Sequence, residues 1–321
     1  MLLGRRLRNL LKTKFCLVYK LATRFGIHIL PAHYYAPVPN ILELESDVHT
    51  WANRLGMIGI SVDLDEQIEN LRRVCVPFRD EYRGNPHYRR AMHFDFGRGR
   101  SRTFGYIEAQ VLHAAIRYFR PARVIEIGSG VPTYCTYQAI LRNFADTGIS
   151  GRIMCIEPNP IPIVSHLATS TEHIELILHP IQGVSLEIFE RLCANDIVFI
   201  DSNHVVKAGG ELNYIVLEIL PRLPDGVIIQ FHDIYLPYDY QRDVLRTFMH
   251  ANETSILAAF LAYNTRFRIL FALSMLHYDR RDAMRSIVPE YRPEHDWYGM
   301  RDGEYDPSRH FPSSLWLRVQ A

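Results

Sequence analysis

Two short stretches hold the residues best suited to chemistry. In FIDSNH (199–204) an apolar run ends on Asp201, and His204 follows three residues later. In QFHD (230–233) another apolar run ends on His232 and Asp233. Carboxylates with an imidazole suit a six-coordinate hard cation such as Mg²⁺, completed by water and ligand oxygens, and such a cation lowers the pKa of a hydroxyl it holds. A histidine in the set is more usual for Mn²⁺ or Zn²⁺. His204 also suits a general base, which needs an imidazole pKa near neutrality. Quieter roles exist for the same residues. Asp201 can be a helix N-cap, as can Ser202 or Asn203, and His204 and the His232–Asp233 pair can be structural. The next stretch, IYLPYDY, carries Tyr235, Tyr238 and Tyr240, which can stack on a sugar or apolar ring or form an ordinary aromatic loop.

A second group of residues suits a nucleoside-like ligand. In EIGSGVPT (126–133), Gly128 and Gly130, with Ser129 between them, let the backbone turn tightly and approach a ligand closely. Glu157 ends CIEP, where an acid can accept two ribose hydroxyls. Both features fit a dinucleotide or S-adenosylmethionine. Against the dinucleotide, Thr133 occupies the place of the third glycine, and Pro132 is expected to resist a helix start that cradles pyrophosphate. Glu157 also lies 27 residues after Gly130, beyond the spacing of about 20 in dinucleotide folds. Glu126, two residues before Gly128, can bond a cationic amino-acid group or brace the loop.

The elements that must position these residues follow from periodicity. Apolar, β-rich runs at 123–128, 152–158, 174–180, 196–201 and 226–233 read as strands. Between them, 134–144, 186–192 and 211–223 read as helices, as do 65–76 and 106–119 upstream. Strands apolar on both faces and separated by helices imply a parallel, doubly wound, Rossmann-like α/β sheet. Ligands on such a sheet bind at the carboxyl ends of its strands. Further on, 240–250 and 255–264 look helical, and 267–273 and 314–319 look like strands.

With 36 basic and 35 acidic residues and 48% hydrophobic composition, the chain reads as globular, and its charge implies no nucleic-acid partner. Seven of the basic residues and no acid fall in the first 24 positions. There, residues 1–26 read as a basic amphipathic helix, suited to peripheral contact with an anionic membrane or to docking on the body with its basic face in solvent. The Pro- and Tyr-rich stretch 29–41 and the Gly/Arg stretch 94–106 read as loops. Five scattered cysteines without a CxxC pair fit reduced thiols in the cytoplasm, and no run is long enough to span a bilayer. The expected organisation is an N-terminal helix-and-loop extension over 1–100 and a ligand-binding domain over 101–321.

Taken together and in this order, VIEIGSG, CIEP, DIVFIDSNH and GVIIQFHDIYLPYDY resemble the class I S-adenosylmethionine-dependent methyltransferases. The resemblance implies a seven-stranded sheet of order 3-2-1-4-5-7-6, with SLWLRV as the antiparallel last strand. It implies S-adenosylmethionine contacts from Glu126, Gly128, Ser129, Gly130, Glu157 and Asp201. Gln182 or the backbone would serve the adenine, because Gly183 stands where such enzymes often carry an acid. Within the class the chain is similar to metal-dependent sugar O-methyltransferases of the macrolide-tailoring type. That similarity implies His204 as base and Asp201, His232 and Asp233 as ligands of Mg²⁺ or another divalent cation, with His232 replacing an acid. The implied activity is O-methylation of a hydroxyl on a glycoside or other polar small molecule, with Tyr235, Tyr238 and Tyr240 as substrate wall. Two other readings carried by the residues are a nucleotide-dependent oxidoreductase and a non-catalytic cofactor-fold protein at a membrane surface.

Overall fold

The computed structural model describes residues 14–30, 35–83 and 104–321. Residues 1–13 of the expected basic helix, 31–34 of the Pro/Tyr stretch and 94–103 of the Gly/Arg stretch lie outside these. The chain divides into two compact units, Met1–Trp51 and Ala52–Ala321. In the first, residues 14–24 are helical with Leu17 and Leu21 exposed, and a short helix, Ile41–Ser46, is capped by the Asn40 side chain. No described helix is long and apolar enough to cross a membrane.

The second unit is built on one seven-stranded sheet. Its strands are β1 (Arg123–Ile127), β2 (Arg152–Ile156), β3 (Ile174–Ile177), β4 (Ile197–Ile200), β5 (Ile228–Phe231), β6 (Phe267–Ala272) and β7 (Leu315–Val319). Their order is β3-β2-β1-β4-β5-β7-β6. The first five are parallel, and β7 runs antiparallel to β5 and β6. This is the Rossmann-like methyltransferase sheet that the motifs imply. Side chains alternate across it as strand geometry requires. Ile197 and Phe199 of β4 enter one apolar core, while Val198 and Ile200 enter the other. Every residue of β4 and β5 is buried, as expected for parallel strands covered on both faces.

Among the described residues of this unit, the continuous helices of seven or more residues are α1 (Leu64–Cys75), α2 (Tyr106–Phe119), α3 (Val131–Thr147), α4 (Pro162–Ser170), α5 (Glu253–Leu261), α6 (Leu273–Asp279) and α7 (Arg281–Ile287). α1 starts where the Asp63 carboxylate accepts from the N–H groups of Asp65 and Glu66 at 3.0 and 2.9 Å. Although its sequence falls in the expected N-terminal extension, α1 lies in the second unit, where Gln67 accepts from the backbone N–H of Ala272 at 2.9 Å.

Three local expectations are corrected. Pro132 does not resist the helix start: α3 begins at Val131, and proline is well suited to a first turn, where its missing N–H costs nothing. Residues 211–222 are not one α-helix but an α-turn, a π-turn over Ile215–Ile219 and a 3₁₀ turn. Pro221 explains this, since it cannot donate to the carbonyl four residues back. Residues 240–250 form turns rather than a helix. Here Arg242 is drawn into a buried ion cluster with Glu294 and Asp296, and the Gln241 side chain accepts from Ala251 N at 2.7 Å. Those tertiary bonds outweigh the local helical pattern.

Candidate active site

The strand register places the chemically suited residues side by side. Ile127 pairs with both Ile156 and Ile200, and Ile200 pairs with Phe231. The residues that follow these, Gly128, Glu157, Asp201 and His232, therefore emerge at one edge of the sheet. They line two adjoining cavities of about 700 and 300 Å³, which share Gly128, Glu157 and Asp201. The larger is also lined by Ser129, Gly130, His204, Asp233 and Tyr235, and the smaller by Asn203 and Glu211.

Gly128 is required by this arrangement. Its φ is +87°, and a Cβ there would sit 2.1 Å from the Asp201 carbonyl oxygen. The loop then passes into α3, with Gly130 N–H donating to the Thr133 hydroxyl at 3.0 Å. Glu126 does not line either cavity. It is buried under the loop beside Thr133 and Cys155, and burial pushes its carboxyl up to about 8. Glu157 accepts from Asn159 N–H at 2.8 Å through Oε1. Gln182 is exposed, donates to the Gly209 carbonyl at 3.0 Å, and lines neither cavity.

His204 sits where its backbone and ring are both held. Its φ is +57°, a strained region for a non-glycine residue, and its carbonyl accepts from Asn252 N–H at 3.0 Å. Ring Nδ1 lies 2.6 Å from Oε2 of Glu253, the buried first residue of α5. The other nitrogen, Nε2, is 3.3 Å from Asp201 Oδ1 and 3.7 Å from Asp233 Oδ2. Burial alone would lower the imidazole pKa, but bonding to Asp201 and Glu253 and the nearby Asp233 charge raise it to about 10. Burial likewise opposes ionisation of Asp201, yet the two histidines hold it well below the usual carboxylate range.

His232 is fully buried and clamped from behind. Its Nε2 lies 3.1 Å from Glu108 Oε2, and the other oxygen of Glu108 accepts from Ser313 N and the Ser314 hydroxyl at 3.0 and 2.6 Å. With Nε2–H donated to Glu108, Nδ1 faces Asp201 Oδ1 at 3.3 Å and Asp233 Oδ2 at 3.6 Å, at ion-pair distance from both. Burial is again outweighed by carboxylates, and the His232 pKa is raised well above its ordinary value. Asp201, His204 and His232 each offer one ligand atom within 4.8 Å of the others. The grouping brought together as candidate cation ligands is thus Asp201 with both histidines, while Asp233 stands beside it and accepts from the Ser313 hydroxyl at 2.9 Å.

Of the three tyrosines, only Tyr235 lines the cavity, where it stacks on Phe311 at 6.0 Å and 13°. Tyr238 packs against Tyr240 and Tyr278, and Tyr240 donates to the Tyr298 carbonyl at 2.8 Å, so both turn into an aromatic cluster instead. Glu108, Glu253, Ser313 and the cavity wall of Arg242, Arg301 and Phe311 were not singled out from sequence. The one available signal was Glu108, an acid near the start of an otherwise apolar helix.

A tight glycine loop leading into α3, two clamped histidines and the carboxylates of Asp201 and Asp233 stand at one sheet edge. Residues 125–234 match the family model of a methyltransferase domain. The matched segment runs from β1 to just past β5 and contains every strand-end residue of the site. The chain is similar to an uncharacterised protein of Archaeoglobus fulgidus, 28% identical over 170 residues that cover 51% of this chain and 74% of that one. Among solved structures, it is similar to the O-methyltransferase TomG of Streptomyces achromogenes, in complex with S-adenosylmethionine (13% identity, 82% of this chain and 92% of that one, TM-score 0.41). It is also similar to the 1,6-didemethyltoxoflavin N1-methyltransferase of Burkholderia thailandensis (14% identity, 92% of this chain and 99% of that one, TM-score 0.40).

Proposed function

We propose that this domain catalyses S-adenosylmethionine-dependent O-methylation of a hydroxyl on a glycoside or other polar small molecule. The observation that carries the reading is His204: its Nδ1 is held by Glu253, and its Nε2 faces Asp201 in the cavity shared with Gly128 and Glu157. S-adenosylmethionine supplies an electrophilic methyl group when bound. Gly128, Ser129 and Gly130 would let the backbone approach it closely, and Glu157 would accept from its ribose hydroxyls. Glu126 braces the loop from below through Thr133 rather than touching the ligand. In its neutral form His204 would take the acceptor's proton on Nε2 as the methyl group arrives, and Tyr235 with Phe311 would provide a flat wall for the acceptor.

The residues also fit a divalent cation. His232 donates from one nitrogen to Glu108 and turns the other toward the carboxylates of Asp201 and Asp233, an arrangement that would orient it as a ligand once that nitrogen is deprotonated. Asp201, His232 and Asp233 would hold the cation, which when bound lowers the pKa of a hydroxyl. Imidazole among the donors favours Mn²⁺ or Zn²⁺ over Mg²⁺. His204 is kept as the base in this reading, because one Nε2 cannot both bind a cation and take a proton.

The test is release of S-adenosylhomocysteine over a panel of glycosides and polar alcohols, with wild type and His204→Ala. Wild type is expected to turn over one of the panel, and His204→Ala to bind cofactor normally but lose about 10²–10⁴-fold in kcat. Unchanged turnover in His204→Ala rules it out as the base.

A further inference from the structure

Beside the active-site cavity lies a second cavity of about 390 Å³ with a different character. Arg281, Arg285, Arg292 and Arg309 line it together with His295, against only two acids, Glu294 and Asp306. Arg309 and Glu294 also line the large cavity, so the two spaces adjoin through these residues.

The positive charge in this space is only partly answered by carboxylates. Glu294 is engaged by Arg242 at 3.1 Å and Arg301 at 3.3 Å, both of which line the large cavity. Asp306 accepts from the N–H and hydroxyl of Ser308 and is 3.5 Å from Arg309, while Arg281 is paired with Asp296. Arg285 has only a solvent-exposed contact with Asp282 at 3.3 Å, which water and salt screen. Among the described residues, the Arg292 guanidinium has no ion pair or hydrogen bond. Like charges gathered in a concavity repel unless an anion joins them, and guanidinium forks match the oxygens of a phosphate two at a time.

We propose that this basic cavity binds a phosphate group, and that the methyl acceptor is a hydroxyl compound carrying a phosphate or diphosphate. The second clause rests on the methyltransferase reading above. The hydroxyl end would face His204, and the anionic end would lie past Arg309, against Arg285 and Arg292.

The experiment titrates pyrophosphate into the full chain by calorimetry, for wild type and the double variant R285Q/R292Q, with S-adenosylmethionine titrated into the same samples. Both substitutions are at exposed side chains, and a thermal melt checks that the variant folds. The expected result is saturable pyrophosphate binding to wild type, weakened about ten-fold or more in R285Q/R292Q, with cofactor affinity unchanged. No saturable binding to wild type, or equal binding to both proteins, in samples that still bind cofactor overturns the proposal alone. Failure of both proteins to bind S-adenosylmethionine overturns the acceptor assignment together with the methyltransferase reading.

Discussion

Nδ1 of His204 lies 2.6 Å from Oε2 of Glu253, 49 residues further along the chain, and this contact decides which nitrogen faces the cavity. With Nδ1–H donated to a buried carboxylate, Nε2 is the atom left to Asp201 and Asp233. Replacing Glu253 by Gln keeps the shape but removes the charge that fixes this orientation. We expect Glu253→Gln to lower kcat about 10-fold or more with little change in cofactor affinity. Steady-state kinetics with cofactor calorimetry checks this, and equal losses in both would point to general misfolding instead.

The protonation state of His204 gives a pH prediction. Its folded pKa is raised to about 10, so in metal-free protein the imidazole stays charged through neutrality. Because the shift is upward, the stabilisation it brings is fully present below the unfolded value of about 6.5 and is lost as pH rises through about 10. ¹⁵N NMR of the ring nitrogens, after chelation, is expected to show titration near pH 10. Glu253→Gln should move that titration to lower pH. Titration near 6.5 in the wild type would contradict the ion-pair geometry.

A related expectation concerns metal. A cation held by Asp201 and Asp233 would weaken the attraction that keeps His204 charged and so would favour its neutral form. EDTA is therefore expected to suppress turnover, with Mn²⁺ or Mg²⁺ restoring it. Glu108→Gln, which alters the partner of His232 Nε2, is expected to weaken the cation about 10- to 100-fold. Indifference of turnover to chelation rules out an essential cation.

Gly128 offers a test of the cradle. A Cβ at this position meets the Asp201 carbonyl at 2.1 Å, and the φ of +87° disfavours any side chain. Gly128→Ala is expected to cost about 1–3 kcal/mol of stability and to weaken cofactor binding, read by thermal melt and calorimetry. A variant that melts and binds like wild type would contradict the close approach of the loop to β4.

What the sequence revealed, and what it hid, follows from the range of the interactions. The apolar runs of β1, β2, β4 and β5 and the residues closing them were legible, because burial on both faces leaves a local pattern. So Gly128, Glu157, Asp201 and His232 could be placed at one edge before any coordinates. Glu253 and Glu108 could not be matched to His204 and His232, since 49 and 124 residues separate the partners. Arg242 is the instructive failure: its segment has a helical pattern, but a buried cluster with Glu294 and Asp296 pulls it into turns. The cavity wall over 294–313 lacks regular periodicity, and nothing local marks Arg301 or Phe311 as cavity residues.

The most direct test of the central claim is calorimetric titration of the full chain with S-adenosylmethionine. The account predicts saturable one-to-one binding that Glu157→Ala weakens and His204→Ala leaves intact. No heat of binding at millimolar cofactor, or binding that Glu157→Ala does not disturb, contradicts it.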